Sequence, residues 1–269
     1  MNVHGFINHN SICYLNSILQ CLLSSSKLVK HIVKNREEYS KKKNNYIVKL
    51  SDAFLRLILK NAKNESDVAY MSVEINKIMN ILGQQCAAEM LLKIIEDLNL
   101  EHLFEQKIEK SFYCMNCNNI VSIKRDIAYI NNISLEDNNS ETLSKNFIKK
   151  INMDFNYIDD YQCNKCKKKT KLIILNCLDK VSDLFIISFN KYIKKDLIQF
   201  PENILLTEKK IKYQLIGIIN HIGDYRSGGH YWSEIKRNSC YYNIDDTAVQ
   251  KIDNFNIIKN NFILFYEKV

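Results

Sequence analysis

An α+β fold, helices first and strands afterwards, is what this sequence predicts, on three observations. Apolar residues recur at helical spacing through the first hundred positions. Strand-like alternation takes over from about residue 110, and two Cys-x-x-Cys pairs lie inside that strand-rich part. Helical and strand segments segregated in this way pack as two halves against each other. The 269 residues suffice for one large domain, or one domain with a subdomain. A hydrophobic content of 46% with 25% charge is ordinary for a globular protein. No run of about eighteen apolar residues occurs, so no membrane span and no membrane partner are expected.

Taken in order, the first element is the clearest. Leu15, Ile18, Leu19, Leu22 and Leu23 form the stripe of a helix with one buried face, and Asn10 or Ser11 would cap its start beside Cys13. Lys34 to Tyr46 reads as a solvated helix end and loop. Leu50, Phe54, Leu57 and Ile58 mark a second helix, with a break over Asn61 to Asp67. A third runs from Val73 to Leu82. Gly83 interrupts it, and Met90, Leu91, Ile94, Ile95 and Leu98 restart the stripe. From Val121 to Tyr129, Val121, Ile123, Ile127 and Tyr129 alternate with polar residues as a half-buried strand does. Asn131 to Tyr157 reads as Asn-rich loop with one short helix over Leu143 to Ile151. Further strands are expected at 172–175, 184–189, 213–219, 231–235, 241–244 and 262–266.

Nine cysteines with no signal-peptide pattern after Met1 point to metal or catalytic roles rather than disulfides, and to a cytoplasmic and/or nuclear setting. Cys114, Cys117, Cys163 and Cys166 form two knuckles separated by about forty-five residues, a donor set for one structural zinc ion. Each knuckle precedes a strand, so zinc would pin the far ends of a β-extension. No thioredoxin-like βαβ pattern surrounds either pair, which argues against a redox role. The formal charge of +8 invites a nucleic-acid reading, but the lysines are scattered and matched by acids. The lysines beside the second knuckle lack interleaved aromatics. A chain rich in Asn, Ile and Lys with a single proline reflects codon bias as readily, and no nucleic-acid partner is expected.

A thiol at a helix N-terminus sits at the positive pole of the macrodipole, which favours thiolate at Cys13. Local pattern alone fits a small buried cysteine equally well. Asn8, on the entering loop, is placed to aim an amide at an oxyanion beside the sulfur. A base is then needed. His230 follows a double glycine into a strand, and a hairpin turning near Arg237 to Ser239 brings Asp245 and Asp246 back towards it. Adjacent strand residues face opposite sides, so only one of the two acids is expected to face His230. His221 is the rival histidine, without an Asp at hairpin distance.

Asn8 to Leu23, with Cys13-Tyr14, Asn16-Ser17 and Leu19-Gln20-Cys21-Leu22, resembles the cysteine box of the ubiquitin-specific proteases. Gly83 to Leu91 resembles that family's Gln-Gln-Asp-x-x-Glu-Phe-Leu. Gly229-His230-Tyr231, the pair Asp245-Asp246 and the final Phe262 to Tyr266 follow in the family's order. The resemblance implies a papain-like cysteine hydrolase with a helical thumb (1–105), zinc-tipped β fingers (106–180) that grip ubiquitin, and a β palm (181–269). It implies Cys13 as nucleophile, His230 as base, Asp245 as the third catalytic residue and Asn8 at the oxyanion, with Asp246 assisting. Gln85, Glu89, Gly229 and Tyr231 would line the channel for the substrate's tail, and 223–229 would gate it. Asn10, Ser11 and Ile12 replace the family's Gly-Asn-Thr, and Cys86 replaces an Asp. The function implied is a deubiquitinase, acting as a monomer on ubiquitin or ubiquitinated proteins with no catalytic cofactor. A deconjugase of another ubiquitin-like modifier and a catalytically silent ubiquitin-binding module are the alternatives.

Overall fold

The stripe from Leu15 to Leu23 forms α1 (Cys13–Ser24) in a computed structural model that describes residues 2–63, 65–134, 140–190, 196–207, 210–224 and 228–269. Every residue from Cys13 to Leu23 is buried, because α1 lies between helices on one side and a sheet on the other. The helical layer continues with α2 (Ser26–Lys34), α3 (Arg36–Ser40), α4 (Asn45–Lys63), a 3-10 turn (Ser66–Tyr70), α5 (Met71–Met79), α6 (Ala87–Asp97) and α7 (Glu101–Phe104). Ser25 caps α2, its hydroxyl accepting from the Leu28 N–H at 3.0 Å. Asn80, at φ 52°, ends α5 in the left-handed conformation. Leu19 and Leu22 of α1 share one core with Phe54 and Leu57 of α4 and with Leu91 and Ile94 of α6.

Two sheets follow. The smaller has the antiparallel order β2-β1-β5-β4, built from β1 (Gln106–Cys114), β2 (Ile120–Ala128), β4 (Met153–Gln162) and β5 (Lys169–Val181). The larger runs β11-β10-β9-β8-β12-β6-β3, with β7 paired to β8. Its strands are β3 (Asn131–Ser134), β6 (Leu184–Asn190), β7 (Asn203–Leu206), β8 (Ile211–Asp224), β9 (Gly228–Arg237), β10 (Cys240–Asp245), β11 (Ala248–Ile252) and β12 (Asn261–Lys268). Two short helices, α8 (Ser140–Lys145) and α9 (Phe147–Asn152), fill a second core with Phe185, Phe189 and Tyr213. α1 packs mainly on β9 and then on β8. Gly217 of β8 permits the close approach, since a Cβ there would come within 2.8 Å of the Cys21 sulfur. No helix of the described residues is long and apolar enough to cross a membrane.

Several expectations shift. Asn10 and Ser11 do not cap α1: both are left-handed, at φ 58° and 62°, and Ile12 occupies the cap position. The Lys34 to Tyr46 stretch contains α3, held by the buried Tyr39, whose hydroxyl donates to the Leu98 carbonyl at 3.1 Å. The expected break at Asn61 falls later, because Asn61 is buried inside α4. β2 is not half-buried. It is the edge strand of the smaller sheet, leaving Ile123 52% and Ile127 56% exposed. The stretch read as Asn-rich loop holds β3 and the first half of β4, and β3 pairs with β6 in the larger sheet.

Candidate active site and metal centre

Cys13 opens α1 at the end of a left-handed turn, and Asn8 completes that turn from outside. The Asn8 Oδ1 accepts from the Ile12 N–H at 2.8 Å, fixing the residue at the cap position of a helix that has no side-chain cap of its own. The amide's other end is fixed too, Nδ2 donating to Asp246 Oδ2 at 2.9 Å. Cys13 is only 2% exposed. The backbone N–H of Tyr231 bonds its sulfur, and Gln84 Nε2 stands 4.0 Å from it. The thiol pKa is not lowered as the helix terminus suggests. Burial pushes it up; the Tyr231 N–H pulls against burial, and the carboxylate of Asp246 adds to it.

His230 and Asp245 meet across the β9–β10 hairpin, with His230 Nε2 and Asp245 Oδ1 2.6 Å apart. The turn is made by Asn238 and Ser239 at φ 53° and 61°, the two-residue geometry that suits strand twist. Trp232 stacks beside the imidazole, with ring centroids 6.4 Å apart and planes 17° from parallel. Tyr231, whose N–H bonds the Cys13 sulfur, follows His230 directly in β9, and β9 is the strand on which α1 mainly packs.

Asp246 departs from the strand-alternation expectation. β10 ends at Asp245, and Asp246 turns left-handed at φ 51°. Its carboxylate thereby stays on the side of the histidine, and ligand atoms of His230, Asp245 and Asp246 lie within 4.8 Å of one another. Its two oxygens accept from Asn8 Nδ2 and from Asn16 Nδ2 (2.7 Å), and its carbonyl accepts from the Phe6 N–H at 2.8 Å. His221 is a core residue of β8, 5% exposed, packed on the rings of Tyr231 and Phe262 at 4.4 and 5.5 Å. It also walls Gly229, where a Cβ would come within 2.5 Å of His221 Nε2.

The residues expected along the tail channel separate. Gly229 and Tyr231 sit at the cleft, but Gln85 folds back on its own loop, Nε2 donating to the Leu82 carbonyl at 2.8 Å. Its neighbour Gln84, which sequence reasoning passed over, occupies the cleft instead. Gln84 Nε2 donates to the Gly229 carbonyl, and Oε1 accepts from the Gly229 N–H at 3.2 Å. The double glutamine was the available signal, but nothing local says which amide turns inward. Glu89 is exposed in the first turn of α6. Of the expected gate, 225–227 lie outside the described residues.

The four knuckle cysteines come together at the far end of the smaller sheet, their sulfurs all within 4.8 Å of one another. The two knuckles repeat one backbone design. In the first, Asn118 N–H donates to the Cys114 carbonyl (2.9 Å) and Cys114 N–H to the Asn119 carbonyl (3.0 Å). In the second, Lys167 and Cys163 do the same with the Cys163 and Lys168 carbonyls at 2.9 and 3.0 Å. Asn118 and Lys167 are both left-handed, at φ 53° and 58°. Hydrogen bonds from side-chain and backbone N–H groups hold the Cys117, Cys163 and Cys166 thiols below their ordinary range, while burial pushes Cys114 up to about 11. The Cys114 and Cys166 sulfurs are 3.8 Å apart. That matches the edge, about 3.8 Å, of a tetrahedron with Zn–S bonds of about 2.3 Å. The donor set and spacing fit one closed, structural zinc ion.

The family model for ubiquitin carboxyl-terminal hydrolase matches residues 4–266. The chain is 25% identical over 300 residues to ubiquitin carboxyl-terminal hydrolase 36 of Drosophila sechellia, covering 98% of this chain and 27% of that protein. It is 24% identical over 332 residues to ubiquitin carboxyl-terminal hydrolase 8 of Saccharomyces cerevisiae, covering 97% and 70%. Among solved structures it is similar to a SAGA DUB module of Ubp8, Sgf11, Sus1 and Sgf73 bound to monoubiquitin. That match has a TM-score of 0.83 at 22% identity, covering 99% of this chain and 69% of that one. The same module bound to ubiquitin aldehyde gives 0.81 at 21%, covering 99% and 70%. The chain spans about a quarter of the length of the first curated relatives it matches.

Proposed function

This chain belongs to the ubiquitin carboxyl-terminal hydrolase family, and from that premise we propose that it is a deubiquitinating cysteine protease. It hydrolyses the bond after the C-terminal glycine of ubiquitin through a thioester on Cys13. The observation that carries this reading is the His230–Asp245 contact at 2.6 Å, on the strand whose next residue bonds the Cys13 sulfur. With Nε2 held by Asp245, Nδ1 of His230 takes the thiol proton as the sulfur attacks the carbonyl carbon. The Asn8 amide and the backbone N–H of Cys13 receive the oxyanion. As the tetrahedral adduct collapses, His230 returns the proton to the departing amine, leaving the thioester. His230 then deprotonates water, which attacks the thioester carbonyl, and the thiol is released. Gln84 must leave Gly229 before a peptide tail can lie beside it, because its amide occupies both backbone groups there.

The parts then divide as a thumb over 1–105, fingers over 106–180 and a palm over 181–269. Cys114, Cys117, Cys163 and Cys166 hold a zinc ion that ties the finger strands together and takes no part in the reaction. Relatives solved with monoubiquitin and with ubiquitin aldehyde support ubiquitin as substrate, and the cytoplasm or nucleus as the place of action follows from that substrate. A second reading, a deconjugase of another ubiquitin-like modifier, is favoured by Cys86, which stands at the cap of α6 where the family carries an Asp. Fluorogenic C-terminal amides of ubiquitin and of other modifiers separate the two. Release from the ubiquitin amide alone, abolished in Cys13→Ala, supports the first reading. Release only from another modifier's amide supports the second, and release from none contradicts both.

A further inference from the structure

The end of β9 buries a cation that the reaction chemistry does not use. Arg237 is 5% exposed, and its guanidinium is bound by neutral groups from two other segments. Nη1 donates to the Asn2 carbonyl at 2.9 Å. Nη2 donates to the Gln20 carbonyl at 3.0 Å, and reaches Gln20 Oε1 and Ser24 Oγ at 3.4 Å each. Burial lowers its pKa to about 10, the signature of a costly placement. Gln20 and Ser24 lie in the last turns of α1, at the negative pole of that helix, which offsets part of the cost.

The three segments gathered at Arg237 each carry or lead to a reacting group. β9 carries His230 and Tyr231, α1 begins with Cys13, and the stretch from Asn2 leads to Asn8. α1 is therefore tied to β9 at both ends, by the Tyr231 N–H at the Cys13 sulfur and by Arg237 at Gln20 and Ser24. From 231 to 237 a strand advances about 20 Å at about 3.3 Å per residue. From 13 to 24 a helix advances about 16 Å at about 1.5 Å per residue. The helix covers most of that length, so α1 acts as a strut along the strand. Gln20 extends the tie, its Nε2 donating to the His4 carbonyl at 2.5 Å.

We propose that Arg237 is a positioning residue, whose guanidinium fork sets the register of α1 and of residues 2–8 against β9 and so holds Cys13 and Asn8 in reach of His230. The proposal rests on the reading of those three residues as one reacting centre. Lysine keeps the charge but cannot bridge both segments at once. In Arg237→Met, kcat on a ubiquitin C-terminal fluorogenic amide is expected to fall about 100-fold with KM little changed, the cost of a misplacement of about 1 Å. Iodoacetamide alkylation of Cys13, read by peptide mass spectrometry, should move to higher pH as the sulfur loses the Tyr231 N–H that pulls its pKa down. Arg237→Lys should fall between the two. Leu206→Ala, in the second core away from α1, should lower the melting temperature without moving the alkylation profile. The alkylation profile needs no ubiquitin, so the positioning claim is tested even if the ubiquitin amide proves a poor substrate. Should Arg237→Met not fold, Arg237→Lys carries the reading. Wild-type kcat and an unmoved profile in the folded variants, with stability alone reduced, would overturn the proposal.

Discussion

Asn8 shows how little freedom a single side chain keeps when both ends of its amide are bound. With Oδ1 on the Ile12 N–H and one Nδ2 hydrogen on Asp246, the orientation is set before substrate arrives, and the second Nδ2 hydrogen is the one left for a developing oxyanion. Asn8→Ala is expected to lower kcat by about 100- to 1000-fold, with KM within about twofold, in steady-state hydrolysis. Asp246 makes a sharper case because its charge and its hydrogen bonds act in opposite senses. The carboxylate raises the Cys13 pKa while holding the amides of Asn8 and Asn16. Asp246→Asn removes the charge and leaves one amide unheld. The alkylation profile of Cys13 should therefore move to lower pH while turnover falls. Movement to higher pH would show that Asp246 does not act on the thiol as described. The resemblance implied an assisting role for Asp246, but its place beside the histidine was not legible in the sequence, where strand alternation sends Asp245 and Asp246 to opposite faces. The left-handed turn at Asp246 is what the alternation rule omits.

At the level of elements, legibility followed the strength of the periodic signal. α1, α4 and α6 were readable because each carries a full apolar stripe packed on one core. β4 was not, because its residues are mostly exposed and rich in Asn and Asp, so burial leaves no alternation to read. The knuckles were readable from spacing, and their shared left-handed residues at Asn118 and Lys167 explain why two separate turns present sulfurs alike. Purified protein should contain one zinc per chain by elemental analysis. Chelation or Cys117→Ser should raise hydrogen exchange across β1, β2, β4 and β5 while sparing β8 and β9. A second element-level prediction concerns α2 and α7, whose His31 and His102 rings lie 4.6 Å apart, with Nδ1 of the first 3.4 Å from Nε2 of the second. Burial holds His31 below its ordinary value of 6.5, the neighbouring His102 and Lys34 add to this, and Glu38 opposes it. A histidine depressed on folding contributes stability that is present above its unfolded pKa and is lost as pH falls through the folded value. The melting temperature should thus fall between about pH 7 and pH 5 more steeply in the wild type than in His31→Gln.

Over the whole molecule, function depends on residues far apart in sequence meeting where α1 lies along β9. The hairpin spacing was enough to foresee that Asp245 would reach His230. Sequence patterns could not foresee Gln84, because its place depends on how the loop before α6 crosses to Gly229, a contact with no local signature. Nor did they mark Arg237, read as part of a turn, as the buried tie between three segments. The central claim is that Cys13 is the nucleophile of a ubiquitin-directed centre. Its most direct test is the intact mass of the protein after incubation with a ubiquitin C-terminal alkyne, with peptide mapping of the adduct. The account predicts a single ubiquitin adduct on Cys13, lost in Cys13→Ala and strongly slowed in His230→Ala. An adduct on any other cysteine, or none on a folded protein, would contradict it.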